Sequence, residues 1–399
     1  MNNRRDFLKL VGTTAGGVMF LPKFLSAMPS HELMQGYQAD RNIFVAIQLN
    51  GGNDGLNTFI PYDTPQYYDV RKNIAIPKEM VLKATGGMGW HPSMKGFYDM
   101  QQAGDLSVVQ NVGYPNPNRS HFRSIEIWQT GSASSEYLSS GWLGRYLDAT
   151  CQPEDPLGAL NLDNIENLSL RGQKNHTLTM QDPQRFERQL KALTENHDDP
   201  LDENPNLDFV RKLMINSFDG SDQIKKALEK SKNNSPLTSK YPRYGLGTNL
   251  EWIAKMIKGG LSTSVYYTGM GSFDTHSGQI GKHKTLLSEV SESVKAFYDD
   301  IKAAGVLNNV TLMIFSEFGR RVKDNGSGTD HGTAAPVFII GGGNKGKIIG
   351  SNPNLSDLDN GDLKHEYDFR SVYATILQQK LQVSPQNVGL KQEILRGMF

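Results

Sequence analysis

NIFVAIQLN, residues 42–50, is an apolar run interrupted by a single glutamine, and GGNDGLNT, residues 51–58, follows it at once. A run of this kind is buried on both faces of a parallel sheet, whereas a half-solvated strand alternates. The two glycines and the Asn-Asp-Gly sequence then force a sharp turn. Working outward, MKGFYDMQQAG (94–104) has helical spacing and stops at a glycine, and LSVVQNVG (106–113) reads as a second strand. SHFRSIEIWQTG (120–131) reads as a helix with Phe122, Ile125 and Trp128 on one side. Strand character returns in TSVYYTGM (263–270), VTLMIFS (310–316) and PVFIIGGG (336–343), with a long helix from about Gln279 to Ala304 between the first two. Strands alternating with helices predict a doubly wound, mostly parallel α/β sheet with helices on both faces. This domain is expected to span residues 40–399. Within it, 132–261 carries charged helical segments such as RFERQLKALTEN and SDQIKKALEKSKNN, and is expected to form a helical insertion or cap.

The first residues carry an address. NNRRDFLKLVGTTAGGVMFLPKF pairs Arg4 with Arg5 ahead of a short, Gly- and Thr-rich apolar stretch. That resembles a twin-arginine export signal, too short and too weakly apolar for a membrane span. Residues 1–28 are therefore expected to be a signal peptide read by the twin-arginine translocase, with the mature protein in the bacterial periplasm or cell envelope. No other stretch is apolar for long enough to cross a bilayer.

Charge is balanced, with 42 basic and 42 acidic residues, and the balance beyond the leader is about −3. Such a chain lacks the basic footprint of a nucleic-acid binder. Its one cysteine, Cys151, excludes an internal disulfide, so a packed core must carry stability.

In doubly wound sheets, ligands gather beyond the carboxyl ends of the strands. Asp54 follows the first strand, Ser120 the second, Asp274 and His276 the third and Glu317 the fourth, while Asp330 and His331 lie on the loop entering the fifth. Carboxylates and imidazoles brought together in this way match the ligand chemistry of zinc, or of manganese where oxygen dominates. Two such ions about 4 Å apart would clamp both oxygens of a displacement at phosphorus or sulfur. Each residue also has a plainer reading. Asp54 suits an Asx-turn, Ser120 a helix N-cap, His283 a helix interior and Asp330-His331 a glycine-rich turn. Glu317, leaving an apolar strand, needs a metal or a partner such as Arg320 or Arg321. His91 and His121 are candidates to approach the site.

LNGGNDGLNTFIPY, NRSHFRSIEIWQTG, GSFDTHSGQ, FSEFGRR, GTDHGTAAPVFIIGGG and YDFRSVYATILQQ resemble, in order and spacing, the domain-of-unknown-function 1501 family. That family is similar to the alkaline phosphatase and sulfatase superfamily. The resemblance implies Asp54 as a metal ligand, Ser120 as nucleophile, Asp274, His276 and His331 at one metal, and Glu317 in place of the aspartate of an Asp-His pair. Where that pair has its histidine, this chain has Phe318. Thr58 is an alternative hydroxyl. His121 or His276 would protonate the leaving group. The expected function is hydrolysis of a phosphate or sulfate ester, on a small molecule or glycan, with one or two zinc or manganese ions. The rival is an exported metal-binding, ligand-binding or assembly protein that has lost turnover.

Overall fold

The computed structural model describes residues 41–152, 155–194, 205–234 and 236–399. The leader, 1–28, lies outside them. Nine strands form one sheet. They are β1 (Ile43–Leu49), β2 (Leu106–Gly113), β3 (Ala159–Asn161), β4 (Thr177–Thr179), β5 (Val265–Met270), β6 (Val310–Phe315), β7 (Ala335–Gly341), β8 (Ile348–Ile349) and β9 (Tyr367–Asp368). Their order is β8-β2-β7-β6-β1-β5-β3-β4, with β9 also on β2. The apolar run that opened the chain is a central strand, parallel to β5 on one side and to β6 on the other.

Its side chains alternate between two cores, as the pleat demands. Val45, Ile47 and Leu49 face one core, and Phe44 and Ala46 the other. On the first face lies α1 (Lys95–Gln102) through Phe97 and Met100. The second face is covered by α2 (His121–Thr130) through Ile127 and Trp128, and by α3 (Trp142–Thr150) through Trp142 and Leu143. The charged stretch then supplies α4 (Pro183–Thr194), α5 (Pro205–Asn234) and α6 (Gly245–Lys258). The long helix α7 (Gln279–Ala303) buries Leu287, Val294 and Phe297 against the first face. The last helix, α8 (Phe369–Gln379), stacks Phe369 on Trp128 and Tyr373 on Trp142. The described residues of 132–261 carry helices α3 to α6, and they also lend β3 and β4 to the edge of the same sheet.

One expectation is corrected. The buried face of α2 is formed by Arg123, Ser124, Ile127 and Trp128, while Phe122 stands 90% exposed. Helical spacing alone cannot say where an apolar stripe ends. In addition, β7 runs antiparallel to both β6 and β2, the exception in a sheet whose other pairings are parallel. An antiparallel strand enters the sheet at the edge where its parallel neighbours leave it. The loop before β7 therefore meets the loops after β1, β5 and β6.

Candidate metal centre

Four segments converge at that edge. The loop after β1 contains Gly51, whose φ of +116° suits glycine and where a Cβ would lie 2.5 Å from the Asp274 backbone nitrogen. Asp274 and His276 stand on the loop between β5 and α7, and His121 opens α2. Glu317 and His331 flank the return from β6 to β7, where Arg320 and His331 form a lone antiparallel bridge.

Three imidazoles and one carboxylate meet here. His276 Nε2 is 3.0 Å from His331 Nε2 and 3.0 Å from Asp274 Oδ1. His331 Nε2 is 3.1 Å from the same Oδ1, and His121 Nε2 is 3.5 Å from Asp274 Oδ2. Every outer nitrogen is anchored. His121 Nδ1 bonds Glu317 Oε1 at 2.7 Å, His276 Nδ1 bonds Asp330 Oδ1 at 3.0 Å, and His331 Nδ1 bonds the Arg119 carbonyl at 2.8 Å. A carbonyl or carboxylate oxygen accepts, so these Nδ1 atoms carry the protons of the neutral rings. The three Nε2 lone pairs then point at each other and at a carboxylate. A bound cation or added protons would relieve this cluster, and the buried His121 Nε2 has no hydrogen-bond partner of its own. The donor set and the anchored Nδ1 atoms fit a divalent metal. His121, Asp274 and His331 offer ligand atoms within 4.8 Å of one another.

A family model for a protein of unknown function, DUF1501, matches residues 105–388. The chain belongs to this family. No curated protein matches its sequence. Among solved structures, it is similar to the phosphonate monoester hydrolase SpPMH from Silicibacter pomeroyi, with 8% identity, 89% of this chain and 76% of that one covered, and a TM-score of 0.44. It is also similar to the PsFucS1 sulfatase from Pseudoalteromonas sp., with 10% identity, 98% and 77% covered and a TM-score of 0.38. A protein in the alkaline phosphatase superfamily from Vibrio parahaemolyticus gives 11% identity, 88% and 72% covered and a TM-score of 0.34.

Electrostatics in this DUF1501 protein follow from the same contacts. Burial pushes Asp274 up, but the Arg320 guanidinium at 2.6 Å and His331 outweigh it and bring the carboxyl down to about 2. The bond to Glu317 holds His121 above the usual imidazole range against burial. Glu317, fully buried, accepts from the Gly51 N–H at 2.8 Å, from the Ser316 hydroxyl at 3.0 Å and from His121. Expected as a ligand, it accepts hydrogen bonds on both oxygens and fixes the His121 ring. Asp330 does the same for His276, and His121 holds Glu317 through Nδ1 while its Nε2 stays without a hydrogen bond.

Asp54 lies elsewhere. It is buried against Arg71, with Arg71 Nη1 at 2.5 Å from Oδ2, and the Gln279 amide also donates to that oxygen. The Thr58 hydroxyl is buried and donates to the Asp54 carbonyl at 2.8 Å. His283 is buried on Asn53 at 2.9 Å, and burial lowers it to about 4. His91 is buried too, and burial lowers it to about 3. Ser120 occupies the N-cap position of α2 but its side chain makes no cap bond. It is exposed, beside His121.

Arg71 carried no motif, and nothing in its neighbours foretold it. Burial raises Asp54, but Arg71, His283 and Gln279 together leave it below the ordinary range. A depressed carboxylate stabilises the fold fully above its unfolded value, about 4, and loses that contribution as pH falls through its folded value. Arg71→Met should cost about 3–5 kcal/mol at pH 7 by stranding the carboxylate. Asp54→Asn should flatten the acid limb of the stability curve. Urea titrations at pH 7 and at acid pH check both, and an unchanged acid limb would refute the assignment.

Proposed function

We propose that this protein is an exported, metal-dependent hydrolase of phosphate or sulfate esters. One observation carries the reading: three anchored imidazoles aim their free nitrogens at one carboxylate, at the mouth of the sheet. The nitrogen-rich donor set favours zinc over manganese. A bound divalent ion supplies positive charge to a developing oxyanion. The chain's own groups do the rest. The first-turn N–H groups of α2 receive no side-chain cap and are free to hold a tetrahedral anion beside the ion. Ser120 Oγ, unbonded and exposed, would release its proton to solvent and form the bond to phosphorus or sulfur as the alkoxide or aryloxide leaves and takes up a proton. Water then cleaves the serine ester. Glu317, Asp330 and the Arg119 carbonyl keep the imidazoles from turning.

Nitrophenyl phosphate and nitrophenyl sulfate, assayed with metal-replete protein, test the proposal. Release of nitrophenol that is lost on chelation and restored by zinc is the expected result. A binding protein without turnover is the second reading, favoured by Phe318 and by the pairing of Asp54 with Arg71. Bound metal with no hydrolysis of either ester class would establish it in place of the enzyme.

Export rests on the Arg4-Arg5 pair. Among the described residues, no helix is long and apolar enough to cross a membrane. Replacing both arginines by lysine should hold the precursor in the cytoplasm, because the receptor reads guanidinium as an address. Cell fractionation decides it: undiminished delivery to the periplasm would remove the twin-arginine signal, and wild-type protein found only in the cytoplasm would remove the location.

A further inference from the structure

We infer that the centre takes one ion per chain and that Arg71 stands as the fixed cation where a second ion would otherwise neutralise Asp54. The inference rests on the metal centre proposed above. The resemblance implies Asp54 as a metal ligand and a pair at positions 317 and 318 for a second metal, and Asp54, Glu317 and Phe318 are all unavailable for one.

Asp54 Oδ2 is held by Arg71 and Gln279, and Asp54 is 1% exposed. Arg71 is itself fully buried, and the chain takes four of its five N–H donors. Its Nε donates to the Val322 carbonyl at 2.9 Å, its Nη2 to the Arg321 carbonyl at 2.8 Å, and its Nη1 also to Asn57 Oδ1 at 2.9 Å. A carboxylate and a guanidinium buried together are neutral, and a divalent ion added beside the guanidinium would be repelled in a medium of low dielectric. Glu317 spends its oxygens on Gly51, Ser316 and His121.

Phe318 closes the remaining space. Its ring lies 4.8 Å from the His121 ring and 4.9 Å from the His331 ring, centroid to centroid. It presses so closely on Gly52 that a Cβ there would fall 2.3 Å from it. Gly52 has a φ of +70°, so glycine is required twice over. An apolar ring thus fills the gap between the loop after β1 and the histidines. No donor faces that gap from position 318.

Counting ions on the full folded chain tests this. Isothermal titration with Mn²⁺ or Zn²⁺ alone, checked by elemental analysis, should give one equivalent, and the Mn²⁺ form should show the electron paramagnetic resonance of an isolated ion. Asp54→Asn should keep that equivalent with its Kd within a factor of about 2, as expected of an independent site. His331→Ala should lose it. Two equivalents in the wild type, a spin-coupled Mn²⁺ pair, or loss of one equivalent in Asp54→Asn would overturn the single-ion inference and leave the proposed hydrolase standing. No equivalent in the wild type would remove the metal centre itself, and this inference with it. The wild-type count is decisive even where Asp54→Asn folds poorly.

Discussion

His331→Ala should empty the metal centre and abolish ester hydrolysis together, since His331 Nε2 faces both His276 and Asp274 and its Nδ1 is fixed by the Arg119 carbonyl. Removing it withdraws one of three nitrogen donors and leaves a cavity that water fills. Glu317→Gln tests the same geometry one step further out. It keeps the shape but weakens the hold on His121, and the expected loss in metal affinity is about 10–100-fold. Elemental analysis after gel filtration, followed by zinc titration against a fluorescent chelator, gives both numbers. If His331→Ala retains full metal and full turnover, the three-imidazole centre is wrong. If Glu317→Gln loses stability but no affinity, Glu317 is a buried structural carboxylate only.

Ser120→Ala should be nearly as damaging to turnover, yet almost silent in stability. An N-cap serine that bonds its helix is worth about 1 kcal/mol. Here the side chain makes no such bond, so the melting temperature should shift by less than that loss would cause. Metal content should be unchanged. Thr58→Ala is the informative control, because its buried hydroxyl bonds Asn53 and the Asp54 carbonyl and so bears on folding rather than on substrate. Survival of hydrolysis in Ser120→Ala would leave the metal centre intact but end the serine-ester route.

Most of the sheet was legible because β1, β5 and β6 are short apolar runs separated by helical spacing, a pattern with few alternatives. The direction of β7 was not legible from its own residues, since an Ile- and Val-rich strand reads alike both ways. Its connection held the clue. Between Phe315 and Ala335 there is no helical segment, only a polar, glycine-rich return, and adjacent strands joined in that way run antiparallel. Among site residues, Asp274, His276 and His331 announced themselves as carboxylate and imidazole beside strand ends, and the structure brings these three together. Glu317 was recognised as needing a partner, but its partners are a backbone N–H, a neighbouring hydroxyl and a histidine from a distant helix. Arg71 gave no sign at all. A lone arginine after a short helix reads as surface charge, and only the fold turns it inward onto Asp54.

The hydrogen bond from Gly51 to Glu317 joins residues 266 apart in the chain. Strand β1, at the centre of the sheet, is likewise paired only with segments more than 200 residues further along the chain. Contacts of such span must await closure of a very long loop, which slows folding and leaves the earliest strand unpartnered during synthesis. The N-terminal third therefore emerges from the ribosome holding an apolar strand with nothing to pair it, and would depend on chaperones until β5 and β6 arrive. His331, from the final seventy residues, comes later still. A truncated or half-made chain would bind no ion through this centre, so metal acquisition would report completed folding.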